Sequence, residues 1–132
     1  MSKAIRWRQR FQNYASAFRV LARTVALSPR SEAERGGLIQ FFETTFELGW
    51  KLLKDYLEAQ GVVAISPREA IKHAYQMTLI ANGQGWLEAL EDRNLIAHTY
   101  DEATCLKLER LIADKYFPLL QALHDTFNSK AE

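Results

Sequence analysis

Arg93 and His98 stand five positions apart in a polar stretch, Glu91 to Glu102, whose side chains suit work on a phosphodiester. An imidazole can move the proton of a ribose 2′-hydroxyl and a guanidinium can hold the anionic phosphorus centre, so such a pair could cleave RNA without a metal. On an unbroken helix this spacing turns the two side chains about 140° apart. Facing one site therefore requires local distortion or contributions from two subunits, and a two-fold dimer supplies the latter. The spacing alone discriminates little, because ten arginines and three histidines make a chance pair easy to find. Indeed Arg68, His73 and Tyr75 repeat the Arg-x4-His-x-Tyr pattern set by Arg93, His98 and Tyr100. The first copy lies in a periodic helical stretch, where a surface arginine and a helix-face histidine are ordinary occupants.

The elements that must position these residues read as helices. Trp7, Phe11, Tyr14, Phe18, Leu21 and Val25 recur at spacings of three and four, a single stripe that ends near Ser28-Pro29. After a polar stretch from Arg30 to Arg35, a second helix runs from Leu38 to Leu57 and stops at Gly61. Its apolar arc covers more than half the circumference, wider than one neighbour requires, so part of it is expected to face a second subunit. Ser66-Pro67-Arg68-Glu69 combines an N-cap, a first-turn proline and a capping glutamate, and starts a third helix running to about Ile80. Asn82-Gly83 breaks the chain before a short fourth helix through Trp86, Leu90 and Leu95. Thr99 with Glu102 offers a further capping box, opening a fifth helix that continues to Phe127 and should bend at Pro118. No strand alternation, repeat or low-complexity segment occurs. The expected fold is all-α, an antiparallel up-and-down four-helix bundle with a short additional helix, in one domain spanning residues 1–132.

Composition narrows the function classes. An apolar share of 48% and only 6 Gly and 3 Pro argue for a packed core and against a disordered chain. No apolar run is long enough to span a bilayer, and residues 1–10 alternate charge with apolar residues, so a cytoplasmic protein with no membrane partner is expected. The single cysteine, Cys105, excludes an internal disulfide and is expected to pack in the core. No His or Cys spacing suggests zinc, and neither a metal nor a cofactor is expected. The net charge of +1 conceals a start that is strongly basic: residues 1–35 carry eight cationic side chains against Glu32 and Glu34. Such a segment could meet RNA phosphates or an acidic partner, although arginines on an outer helix face are more often simply solvated.

Two blocks carry a resemblance to a known family. Arg93-Asn94-Leu95-Ile96-Ala97-His98-Thr99-Tyr100-Asp101-Glu102 resembles the signature of the nucleotidyltransferase substrate-binding proteins, a branch of the HEPN superfamily that includes HepT toxins. The segment from Gln40 to Leu57 is similar to the family's second helix, and Ser66-Pro67-Arg68-Glu69 to the start of its third. Ile96 and Ala97 are apolar where the family pattern is more polar. The resemblance implies a HEPN-like helical homodimer. It also implies a metal-independent ribonuclease, with Arg93 and His98 as the catalytic pair at the dimer interface and RNA as substrate. A cognate minimal nucleotidyltransferase would serve as antitoxin in a toxin-antitoxin pair by transferring AMP to Tyr100. Asn94, Glu43, Thr99 and Asp101 are the supporting residues.

Glu43 borders the apolar arc of the second helix and could orient Arg93 or His98, with plain solvation the alternative. Glu47 and Lys51 fall on the polar side as an ordinary i, i+4 pair. Trp7, Trp50 and Trp86 could stack on bases, but their stripe positions favour packing. His124 suits a helix C-terminus and has no catalytic role. A competing function is a non-catalytic subunit that presents a substrate to a separate nucleotidyltransferase. Arg93 would then bind a phosphate and His98 would be structural. A dimeric scaffold with neither activity is the third possibility.

Overall fold

Ser2 opens the first helix by accepting the Ile5 N–H, and α1 (Lys3–Val25) then runs without an acidic residue. Its apolar stripe is buried as expected: Trp7, Phe11, Tyr14, Phe18 and Leu21 are all in the core. The computed structural model describes residues 2–96 and 101–131. Within them follow α2 (Glu32–Ala59), α3 (Pro67–Gln76), α4 (Gly83–Ile96), α5 (Glu102–Leu111), a π-helical turn (Ile112–Tyr116) and α6 (Phe117–Ala131). Among the described residues there is no strand, and no helix is long and apolar enough to cross a membrane. The fold is the expected all-helical bundle, with one contiguous apolar core shared by all of its helices.

The second helix begins six residues before its first apolar stripe residue. Ser31 accepts the Glu34 N–H while the Glu34 carboxylate accepts the Ser31 N–H, a complete capping box hidden in what reads as a polar stretch. Gly61, at φ +84°, ends the helix, and the Val62 N–H returns to the Leu57 carbonyl. The connection from α1 is fastened by charge. Glu109 of α5 accepts from Arg30 Nε at 2.9 Å and from Arg35 Nε at 3.0 Å, and Arg30 also donates to the carbonyls of Val25 and Leu27.

The wide apolar arc of α2 has a different explanation from the one the sequence suggests. Helices α1, α3, α5 and α6 all pack on α2, and no large hydrophobic side chain on it is exposed. Ten of its residues are buried, among them Leu38, Phe42, Phe46, Leu52, Leu53 and Leu57. The arc is used inside the subunit because α2 is the central helix, so it supplies no argument for a second subunit. At Gly49 the approach is close: a Cβ would lie 3.2 Å from Tyr14 Cε1 and 3.4 Å from both Trp86 Cη2 and Leu123 Cδ2. Helices α1, α4 and α6 thus converge on one turn of α2, and α4 is held where its last turn meets Glu47.

Three further differences have physical causes. The third helix stops at Gln76, earlier than Ile80, because Thr78 adopts a left-handed φ of 59° and the Leu79 N–H turns back to the Ala74 carbonyl. The fourth helix, with 14 residues, is longer than the third, with 10, because Asn82 caps it by accepting the Gly85 N–H at 2.9 Å. The long C-terminal helix is interrupted before Pro118. Proline has no N–H and its ring crowds the carbonyl four residues back, and widening of the ladder into a π-turn relieves both effects.

Candidate functional site

The last turn of α4 carries Asp92, Arg93 and Asn94, and its side chains are tied to two other elements. One arm of the Arg93 guanidinium pairs with the Glu47 carboxylate on α2, and the other donates to Asn94 Oδ1 at 3.0 Å. Glu47 also receives Lys51 Nζ at 3.5 Å, so one carboxylate sits between two cations. The pair is half-buried, with Arg93 29% and Glu47 31% exposed, which leaves the guanidinium accessible to an anion from solvent. On the opposite flank, Asp92 accepts from the Tyr116 hydroxyl, and one turn earlier Glu88 pairs with Lys115. Both partners belong to the π-turn. Tyr116 is buried, stacked on Phe42 at 5.5 Å, and burial, reinforced by the Asp92 carboxylate, pushes its phenol well above the usual range. The Lys115 ammonium holds Glu88 below the usual carboxylate range. The π-turn and α2 therefore grip α4 from two sides, leaving Arg93 fixed yet partly open.

The supporting residues are redistributed. Glu43 is half-buried and makes no hydrogen bond or ion pair among the described residues. The carboxylate that meets Arg93 is Glu47, one turn further along α2, where the end of α4 reaches it. Asn94 does support Arg93 directly. Asp101 is the N-cap of α5, accepting the Thr104 N–H at 2.7 Å and the Thr104 hydroxyl at 2.9 Å, and the first of these bonds holds its carboxyl below the usual range. The helix thus opens on Asp101 in place of the Thr99 capping box, since the aspartate reaches the orphan N–H three residues on. His98, Thr99 and Tyr100 lie outside the described residues.

The other candidates have packing roles, although His124 lies in the middle of α6 and not at a helix C-terminus. Trp7 and Trp86 are core residues, whereas Trp50, on α2, has a buried Nε1 with no hydrogen-bond partner among the described residues. His124 stacks on Phe18 at 5.0 Å. Cys105 packs partly against the core.

Residues 9–129 match the family described as nucleotidyltransferase substrate binding protein like. The chain belongs to this family. It is 28% identical over 83 residues to a protein of Haemophilus influenzae named probable ribonuclease HepT, a stretch covering 59% of this chain and 57% of that relative. The chain therefore aligns with little more than half the length of the curated relative. A crystal structure of a Thermus thermophilus protein superposes with a TM-score of 0.76 at 30% identity, covering 90% of this chain and 98% of the other. As a member of this family, the chain pairs an all-helical bundle with the Arg93 arrangement at the end of its fourth helix.

Proposed function

We propose that this family member is a HepT-like ribonuclease toxin, a dimer that cleaves RNA without a metal and is silenced by a cognate nucleotidyltransferase. The observation that carries the reading is Arg93, a half-open guanidinium fixed by Glu47 and Asn94 immediately before residues 97–100. The likeness to the H. influenzae protein named for ribonuclease activity supports it. In the proposed reaction His98 removes the proton of a 2′-hydroxyl, and that oxygen attacks the adjacent phosphorus. The bond from phosphorus to the 5′-oxygen breaks, leaving a 2′,3′-cyclic phosphate. The second copy of His98 in a two-fold dimer returns a proton to the departing oxygen. Arg93 stabilises the charge building on the phosphorane oxygens. The dimer fits this reading because Arg93 and His98 are five residues apart, which on continued helix would not bring both to one phosphate without local distortion.

Tyr100 is the proposed AMP acceptor. An adenylyl group two residues from His98 would add negative charge and bulk where an RNA phosphate must lie. Coexpression with a cognate nucleotidyltransferase, followed by peptide mass spectrometry, is expected to locate AMP on Tyr100, with Tyr100→Phe escaping silencing. Full neutralisation without an adduct would replace covalent silencing with inhibition by complex formation. The family description itself favours a second reading, a non-catalytic subunit that binds a substrate for the nucleotidyltransferase, in which Arg93 holds a phosphate. Failure of purified dimer to cleave any RNA, with the complex still forming, selects that reading.

A further inference from the structure

The first copy of the Arg-x4-His-x-Tyr pattern belongs to α3, far from the catalytic proposal, yet it borders a pronounced hollow in the molecule. A cavity of about 520 Å³ opens between α3 and the start of α4. Its floor is apolar, with Ile71 and Leu87, and its rim carries the amides of Gln76 and Asn82, the Lys72 ammonium and the Tyr75 ring. None of its lining residues is a carboxylate. Tyr75 is 55% exposed, a large aromatic left in solvent where the rest of α3 buries Ala70, Ile71 and Ala74. The ring is not loose. A Cβ on Gly83 would lie 3.1 Å from Tyr75 Cγ and 3.2 Å from Cδ1, so the absence of a side chain at Gly83 lets the phenol rest against the backbone of α4. Along the same outer face of α3, Arg68 and Lys72 are both exposed and one turn apart.

We propose that this cavity is a subsite for one nucleotide of a single-stranded RNA, with its base stacked on Tyr75 and its phosphate met by Lys72. The assignment rests on RNA being the substrate of the Arg93 site. An aromatic face with an apolar floor accepts any base, amides at the rim can pair with its polar edge, and a cation at a cavity lined by no carboxylate suits the backbone. Arg68 continues the cationic track by one helical turn. The subsite and Arg93 lie at opposite ends of α4, about 15 Å apart along its axis from Gly83. A bound strand would therefore have to pass several nucleotides between them.

The test is fluorescence anisotropy of a labelled single-stranded oligoribonucleotide on the His98→Ala dimer, which binds without needing to cleave. Removal of one stacking partner costs about 1–3 kcal/mol, so Tyr75→Ala should weaken binding about tenfold, while Tyr75→Phe should bind like the parent. Lys72→Ala should weaken binding a few-fold and reduce the slope against log salt by about one. The proposal is overturned if Tyr75→Ala binds unchanged, if Tyr75→Phe loses as much as Tyr75→Ala, or if a free mononucleotide binds as tightly as the oligonucleotide. Binding that depends on Tyr75 in a protein whose wild type cleaves nothing supports the subsite and refutes the nuclease. Cleavage with no Tyr75 dependence does the reverse.

Discussion

Glu109 and Glu47 each hold two cations, and the two clusters are built differently. Glu109 receives Arg30 and Arg35 with all three side chains only 11–18% exposed, and Arg30 directs further donors to two backbone carbonyls. Glu47 receives Arg93 and Lys51 with exposures of 29–39%, and the second arm of Arg93 goes to a neighbouring side chain. At Glu109 the paired side chains are largely buried and fasten the α1–α2 connection to α5. At Glu47 the guanidinium is positioned but can exchange a partner for an anionic ligand. Burial thus separates the two clusters, although both are written with arginine and glutamate.

Breaking each cluster should therefore damage a different property. The largest effect is expected from Arg93→Ala, which should lower RNA cleavage by about 10²- to 10³-fold, as loss of a charge-stabilising donor does. Thermal unfolding should change little, since a part-exposed pair contributes about 1 kcal/mol or less. Equal losses of folding and activity would erase the distinction drawn from exposure.

Next in size is Glu109→Gln, which should cost about 2 kcal/mol of stability in denaturant unfolding by leaving two largely buried guanidiniums without their anion. Burial works to raise the Glu109 pKa, but the hydrogen bonds and charges of Arg35 and Arg30 outweigh it and hold the carboxyl below its ordinary 4.5. A depressed folded-state pKa contributes stability that is complete above the unfolded value and disappears as pH falls through the folded one. The difference between wild type and variant should accordingly be constant at neutral pH and shrink below about pH 4. A gap that persists in acid would show that packing, not charge, is lost. The smallest change is expected for Glu47→Gln, about tenfold in kcat with stability retained, because the amide still accepts one bond but no longer fixes the guanidinium by charge. A larger loss than for Arg93→Ala would give Glu47 a direct chemical role.

The helices were legible because their signals are local. Stripe periodicity, the Ser66 to Glu69 box and the Gly61 stop each depend on residues within one or two turns. Arg93 and Asn94 were legible as well, through the pattern around them. What was hidden depends on how helices are arranged. Glu43 reads as bordering the apolar arc of α2 and Glu47, one turn on, as a plain partner of Lys51, and only the height at which α4 ends decides which one meets Arg93. Tyr116 reads as a stripe residue, and only the π-turn before Pro118 aims its hydroxyl at Asp92. The arc of α2 is wide on either account, since periodicity reports how much surface is apolar and not which chain covers it. Tyr75 has neighbours that fit a plain helix, and its exposed position over Gly83 follows from the packing of α3 against α4.

The central claim is that the second copy of the pattern, and not the first, performs the chemistry. The direct measurement is cleavage of total RNA in excess EDTA by the wild-type protein, His98→Ala and His73→Ala, each checked for an unchanged fold by circular dichroism. The account predicts EDTA-resistant cleavage by wild type and His73→Ala, and a loss of about 10²- to 10⁴-fold for His98→Ala. Cleavage that survives His98→Ala but disappears in His73→Ala, or that requires an added divalent metal, would contradict it.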